Sequence, residues 1–143
     1  MKDPNESIEE YVLCGTVVRG KGLGHTRGMP TANLQLPEGT ILPPDGVYGG
    51  TVTVPGPDGS AEMFGGLTNI GTRPSVDDSP AKTVETLILG LDRDLYGQTL
   101  TLHLQLRIRD IRKFPGGLEE VRAQIDHDIR TWRAFEEARK EKE

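Results

Sequence analysis

The residues best suited to chemistry lie in the run Gly20-Lys21-Gly22-Leu23-Gly24-His25-Thr26-Arg27-Gly28-Met29-Pro30-Thr31-Ala32-Asn33. Four glycines between positions 20 and 28 allow tight bending and leave backbone amides bare for phosphate oxygens. After Pro30, an extended Thr31-Ala32-Asn33 would send residues 31 and 33 to the same side. Their side-chain oxygens are hard, neutral ligands that Mg²⁺ accepts alongside phosphate and water. A phosphate cradle beside two oxygen ligands reads as a Mg-nucleotide site, although neither GxxxxGK[ST] nor GxGxxG occurs. The alternative is a turn region in which Thr31 and Asn33 hydrogen-bond to the backbone.

Glu85 is the second candidate. It interrupts the apolar run Val84-Glu85-Thr86-Leu87-Ile88-Leu89, where a carboxylate is costly to bury without a partner or a task. Such a carboxylate can act as general base toward a hydroxyl in phosphoryl transfer, or can simply face solvent from a half-exposed strand. Arg109, Arg112, Lys113 and Phe114 form a basic-aromatic cluster that can hold an anion and stack a ring. Alternatively it is a solvated connection with Phe114 plugging the core. Arg73 is a loop cation with the same two readings. His25, His103 and His127 are scattered without metal-ligand spacing, and no Ser/His/Asp or Cys/His arrangement stands out.

These groups need a scaffold, and 143 residues suffice for one domain with its own core. The net charge of −5 argues against nucleic-acid binding, which needs a basic surface. One cysteine, Cys14, excludes an internal disulfide and suits a reducing cytoplasm; within Tyr11-Val12-Leu13-Cys14 it reads as a small core residue. No apolar stretch has the length of a membrane span, and the first ten residues lack the apolar segment of a signal peptide.

Eighteen glycines and ten prolines cut the first 117 residues into short pieces, the pattern of an all-β sandwich or barrel. The expected strands are 11–18, 31–36, 46–54, 63–70, 84–91 and 98–109, with a loop over 71–81. A turn at 92–97 would join the last two strands as a hairpin. In the last strand Leu100, Leu102, Leu104, Leu106 and Ile108 share one parity, which places them on a single core face. After Gly116-Gly117 the period changes. Leu118, Val121, Ile125, Ile129 and Trp132 form a helical stripe, with Glu119 and Glu120 favourably placed in the first turn. The helix should dock on the barrel and fray near 140–143. The expected organisation is a polar extension over 1–10, a barrel with its helix over 11–135, and a charged helical tail over 136–143.

Seven motifs in order then carry a family resemblance: GxVVxG from Gly15, GxPTAN from Gly28, GVY from Gly46, NIGxRPSV from Asn69, VET from Val84, DLYG from Asp94 and RxxRKF from Arg109. From Gly15 to Ile129 the chain resembles riboflavin kinase. The resemblance implies a six-stranded antiparallel Greek-key β-barrel with a C-terminal helix. It implies transfer of the ATP γ-phosphate to the ribityl 5′-hydroxyl of riboflavin with Mg²⁺, giving FMN and ADP. The expected partners are riboflavin or FMN and ATP or ADP, with no nucleic acid and no membrane, and the expected state is a monomer in the cytoplasm. Carried over, Thr31 and Asn33 match the metal ligands, and with Gly20, Gly24, His25, Ile88 and Tyr96 they make up the ATP side. Glu85 matches the catalytic base; Arg109, Arg112 and Phe114 match the flavin side. The chain departs from the family at His25, usually arginine, at Arg27, usually apolar, at Gly90, often acidic or histidine, and at Ile111, often glutamate. A non-catalytic flavin or FMN sensor on the same barrel is the alternative. In most bacteria this module is half of a bifunctional enzyme whose adenylyltransferase half is absent from this sequence. A free-standing kinase and a domain of a longer chain both remain open.

Overall fold

The computed structural model describes residues 6–19, 31–74, 80–91 and 93–142. Among these described residues six strands and one helix follow in order: β1 Glu6–Val18, β2 Ala32–Gln35, β3 Gly46–Pro55, β4 Ala61–Pro74, β5 Pro80–Ile88, β6 Thr99–Arg109 and α1 Leu118–Lys142. The strands close into an antiparallel barrel in the order β1-β2-β5-β4-β3-β6. This is the strand-rich architecture the glycine and proline spacing predicts, with several boundaries moved. β1 begins at Glu6 rather than at residue 11, and its ladder with β6 shifts register between Ser7 and Tyr11. β4 and β5 reach into the expected loop, and their pairing runs to Pro74 opposite Pro80. Proline is tolerated at these strand ends because no ladder donor is required there. The helix continues to Lys142, through the segment expected to fray.

The expected β5–β6 hairpin does not form. β5 pairs with β2 and β4, whereas β6 pairs with β1 and β3. After Ile88 the chain turns at Gly90, whose φ of 84° favours glycine, and crosses the barrel mouth. It rejoins the wall beside β1, where Gly97 N donates to Val17 O and Val17 N donates to Gln98 O, each at 2.9 Å.

The interior is filled by Leu13, Val17, Leu34, Tyr48, Val52, Val54, Ile70, Val84, Leu100, Leu102 and Leu104. A second cluster lies outside the wall, where Leu67, Leu106 and Ile108 meet Trp132 of α1, with Leu87, Leu89, Ile125, Ile129 and Phe135 around them. The leucine parity of β6 therefore serves two cores, not one. In the β3–β6 ladder Leu104 faces Gly50 and Leu106 faces Gly49, so Gln105 is an extra residue that turns the following side chains to the opposite face. A second irregularity at Ile108 leaves Arg107 opposite Tyr48 and Arg109 opposite Val47. Strict alternation in sequence cannot show such insertions.

Trp132 is 1% exposed and rests on bare backbone: a Cβ at Gly49 would lie 2.6 Å from its Cε3 atom. Cys14 corrects a second expectation. It is exposed, because Leu13, Gly15 and Val17 take the inward parity of β1 and residue 14 the outward one. At one end of the barrel Asp45, just before β3, clamps the β4–β5 hairpin. Its carboxylate pairs with the Lys82 ammonium and accepts from Thr72 Oγ1 at 2.7 Å. The Lys82 hydrogen bond, then that of Thr72, holds its carboxyl below the ordinary carboxylate value.

Candidate active site

Two cavities meet at the start of β2. The first, of about 600 Å³, opens at the barrel mouth between Val17–Arg19, Thr31–Asn33, the end of β5, Leu91 and Arg93–Tyr96. The second, of about 220 Å³, lies between the outer wall and α1, bounded by Glu85, Asn69, Arg109, Arg112, Phe114 and Asp128 among others. Thr31 lines both.

Strand register explains why these residues gather. Asn33 of β2 stands opposite Glu85 of β5, Glu85 opposite Asn69 of β4, Asn69 opposite Val47 of β3, and Val47 opposite Arg109 of β6. Directly paired residues share a face of the sheet. One row across five strands thus carries Asn33, Glu85, Asn69 and Arg109 outward, while the neighbouring Leu34 and Val84 fill the interior. At about 4.8 Å per strand, Glu85 is one step from Asn33 and three from Arg109. Glu85 is half-buried in a cavity wall; it neither sits in the core nor faces open solvent.

The first cavity collects Thr31, Asn33, Ile88 and Tyr96. Thr31 Oγ1 is buried and has no hydrogen-bond partner among the described residues. An orphaned buried hydroxyl is costly unless a ligand completes it, so Thr31 fits a hard cation or a phosphate oxygen. Gly20, Gly24, His25 and Arg27 lie outside the described residues. Local sequence reasoning missed Arg19 and Arg93, two cations on this wall. The Arg19 guanidinium sits 4.3 Å from the Tyr96 ring centroid. Arg93 is partly committed, donating to Glu62 Oε1 at 2.9 Å and to Pro55 O at 3.0 Å. Both flank recognised segments, but only the folded strand ends show that they converge.

In the second cavity the guanidinium carbons of Arg109 and Arg112 lie 5.7 and 5.0 Å from the Phe114 ring centroid. Phe114 is half-buried beneath α1 and Ile111 is 45% exposed at the rim. Arg112 donates to Gln124 Oε1 at 2.8 Å and to Glu120 Oε1 at 3.2 Å. Glu120 Oε2 also accepts from Gly116 N at 2.7 Å, tying the 110–117 loop to the first turn of α1. Asp128, buried to 1% exposure, and Asn69 were not among the sequence candidates for the site. A signal for Asp128 existed, since a carboxylate on the stripe of Ile125, Ile129 and Trp132 breaks the helical pattern. The described residues include no group of three or more His, Cys, Asp or Glu arranged to hold a metal. A cation bound at Thr31 and Asn33 would therefore rely on oxygen from its substrate and water.

The arrangement offers an oxygen-lined mouth, a carboxylate one strand away, and an aromatic-cationic pocket beyond it. The flavokinase family profile, described as riboflavin kinase, matches residues 7–136. The chain is 36% identical over 118 residues to an RNA-binding riboflavin kinase of Bacillus subtilis (strain 168), covering 82% of this chain and 48% of that protein. It is 37% identical over 125 residues to the bifunctional riboflavin kinase/FMN adenylyltransferase of Escherichia coli (strain K12), covering 87% of this chain and 38% of that protein. The chain thus spans less than half the length of these relatives. Its fold superimposes on riboflavin kinase from Trypanosoma brucei with a TM-score of 0.68 at 24% identity, covering 91% of this chain and 82% of that one.

Proposed function

The chain belongs to the riboflavin kinase family, and on that premise we propose that it transfers the γ-phosphate of ATP to the ribityl 5′-hydroxyl of riboflavin, giving FMN and ADP. The observation that carries the reading is the position of Glu85. It stands opposite Asn33 in the β2–β5 ladder and lines the cavity in which Arg109, Arg112 and Phe114 converge. A carboxylate there lies between an oxygen-rich mouth suited to a triphosphate and a pocket suited to a flat ring.

Phosphoryl transfer asks chiefly for positioning and charge neutralisation. ATP enters the larger cavity with its phosphates toward Thr31 and Asn33, and its base toward Ile88 and Tyr96. The glycine loop, with Gly20, Gly24 and His25, supplies amides and a side chain to the phosphates. Thr31 and Asn33 would hold Mg²⁺, which supplies charge neutralisation on the phosphate oxygens when bound. Riboflavin places its ring against Arg109, Arg112 and Phe114, and its ribityl chain runs along the row toward Glu85. Glu85 accepts the 5′-hydroxyl proton as that oxygen bonds to the γ-phosphorus and the bond to the ADP oxygen breaks. The reaction takes place in the cytoplasm and the chain acts as a monomer. RNA is not part of the proposal, although the B. subtilis relative is named for binding it; a charge of −5 and seven aromatics in 143 residues favour neither backbone neutralisation nor base stacking.

Incubation with riboflavin, ATP and Mg²⁺, followed by chromatography, is expected to show FMN, with formation abolished by EDTA. Quenching of riboflavin fluorescence without FMN would replace the kinase with a flavin-binding module.

A further inference from the structure

We propose that Asp128 is a positioning residue that aims the Arg109 guanidinium into the flavin-side cavity, and so sets affinity for riboflavin without touching phosphate transfer. The inference rests on the riboflavin kinase reading. Asp128 projects from the apolar stripe of α1 and is 1% exposed, while Arg109 is 19% exposed. A buried ion pair is weak evidence for stability, since an apolar side chain of similar volume would dock a helix at least as well. Its geometry is more informative. Asp128 Oδ1 accepts from Arg109 Nε at 3.1 Å and from Gln124 Nε2 at 2.9 Å; Oδ2 accepts from the same Nε at 3.0 Å. Arg109 Nη1 donates to Asp110 O at 3.2 Å. Among the described residues no acceptor meets Nη2. The guanidinium lines the cavity and is thus gripped by its inner nitrogen and one arm, while among the described residues its other arm is uncommitted.

The grip belongs to a ladder. Glu120, Gln124 and Asp128 follow at four-residue steps on one face of α1. The first two hold Arg112 and the last holds Arg109. Both guanidiniums are thereby fixed over Phe114. A donor edge beside an aromatic face suits a planar heteroaromatic ring with carbonyl oxygens on its rim, which is the chemistry of an isoalloxazine. Asp128 acts through Arg109, at the end of the cross-strand row away from Asn33.

Steady-state FMN formation by the full chain tests this, with riboflavin and ATP varied separately. Asp128→Asn is expected to raise the riboflavin KM about tenfold, the scale of one charge-assisted hydrogen bond, and to leave the ATP KM within about twofold. Arg109→Lys also raises the riboflavin KM, and adding Asp128→Asn to it brings no further rise, because the guanidinium being aimed is gone. An unchanged riboflavin KM in Asp128→Asn, or effects that multiply in the double variant, overturns the proposal. Should Asp128→Asn fail to fold by circular dichroism, Gln124→Glu decides, since it keeps an acceptor for Arg112 and removes the amide that donates to Asp128. A rise of about threefold in the riboflavin KM supports the grip, and no rise overturns it. Absence of FMN from the unsubstituted protein defeats the kinase reading itself. The same variants are then read by riboflavin fluorescence quenching, where a weaker Kd supports the positioning role and an unchanged Kd overturns it. If the unsubstituted protein neither makes FMN nor quenches riboflavin, both fall.

Discussion

Glu85 shows how far a single residue can be understood from its neighbours in sequence and where that stops. The run Val84 to Leu89 marks it as an oddity, yet local pattern alone favours an ordinary solvent-facing carboxylate. Register changes the assignment, since pairing with Asn33 and Asn69 on either side places it in a cavity wall. Glu85→Gln keeps the size and most hydrogen bonding but cannot take a proton. Riboflavin binding by fluorescence quenching should persist while FMN formation slows by about 10²-fold or more; normal turnover would remove Glu85 from the base role. Thr31 and Asn33 were conspicuous in the sequence for a simpler reason, because hard oxygen ligands after a glycine loop suggest a chemistry by their types, and the fold sets both on the wall of one cavity. Arg19 and Asn69 were not, because an arginine at a strand end and an asparagine within a strand have many uses.

Among the elements, the barrel strands were legible from turn residues and alternation, but their partners were not. The sequence of β6 contains no sign of the extra residue at Gln105, because inserting a bulge preserves the alternation while reversing the face. That reversal lets one strand line the barrel with Leu100 to Leu104 and dock α1 with Leu106 and Ile108. The helix stripe was legible from Val121 to Trp132, whereas Leu118, expected on the same stripe, is 42% exposed. What sequence could not show is the seat of Trp132, made by the missing side chain of Gly49. Gly49→Ala would place a methyl group 2.6 Å from the indole Cε3. The expected cost is about 1–3 kcal/mol from overpacking, read as a lower Tm, with tryptophan fluorescence shifted to the red as the ring is pushed outward. An unchanged Tm and spectrum would mean that α1 can slide without loss.

At the scale of the molecule, the Asp45 clamp joins the segment before β3 to both strands of the β4–β5 hairpin. Its carboxyl titrates below the ordinary value of 3.8, so the folded state favours the ionised form. The stabilisation is present above about pH 3.8 and is lost as pH falls through the lower folded value. Asp45→Asn should therefore lower stability to denaturant at pH 6 and converge with the unsubstituted protein in strong acid; parallel curves down to the lowest pH would exclude the clamp as the source. The closed order of strands, hidden from local sequence, carries a kinetic consequence. Of the described barrel strands β1 leaves the ribosome first, and its longest ladder is with β6, which leaves last. Sealing the wall must await nearly the whole domain and bears the loop-closure entropy of everything between. Until β6 arrives, the nascent sheet keeps two open edges that foreign strands can pair with. A chain broken off before Arg109 is accordingly not a smaller barrel but an unsealed sheet, a substrate for chaperones and proteases.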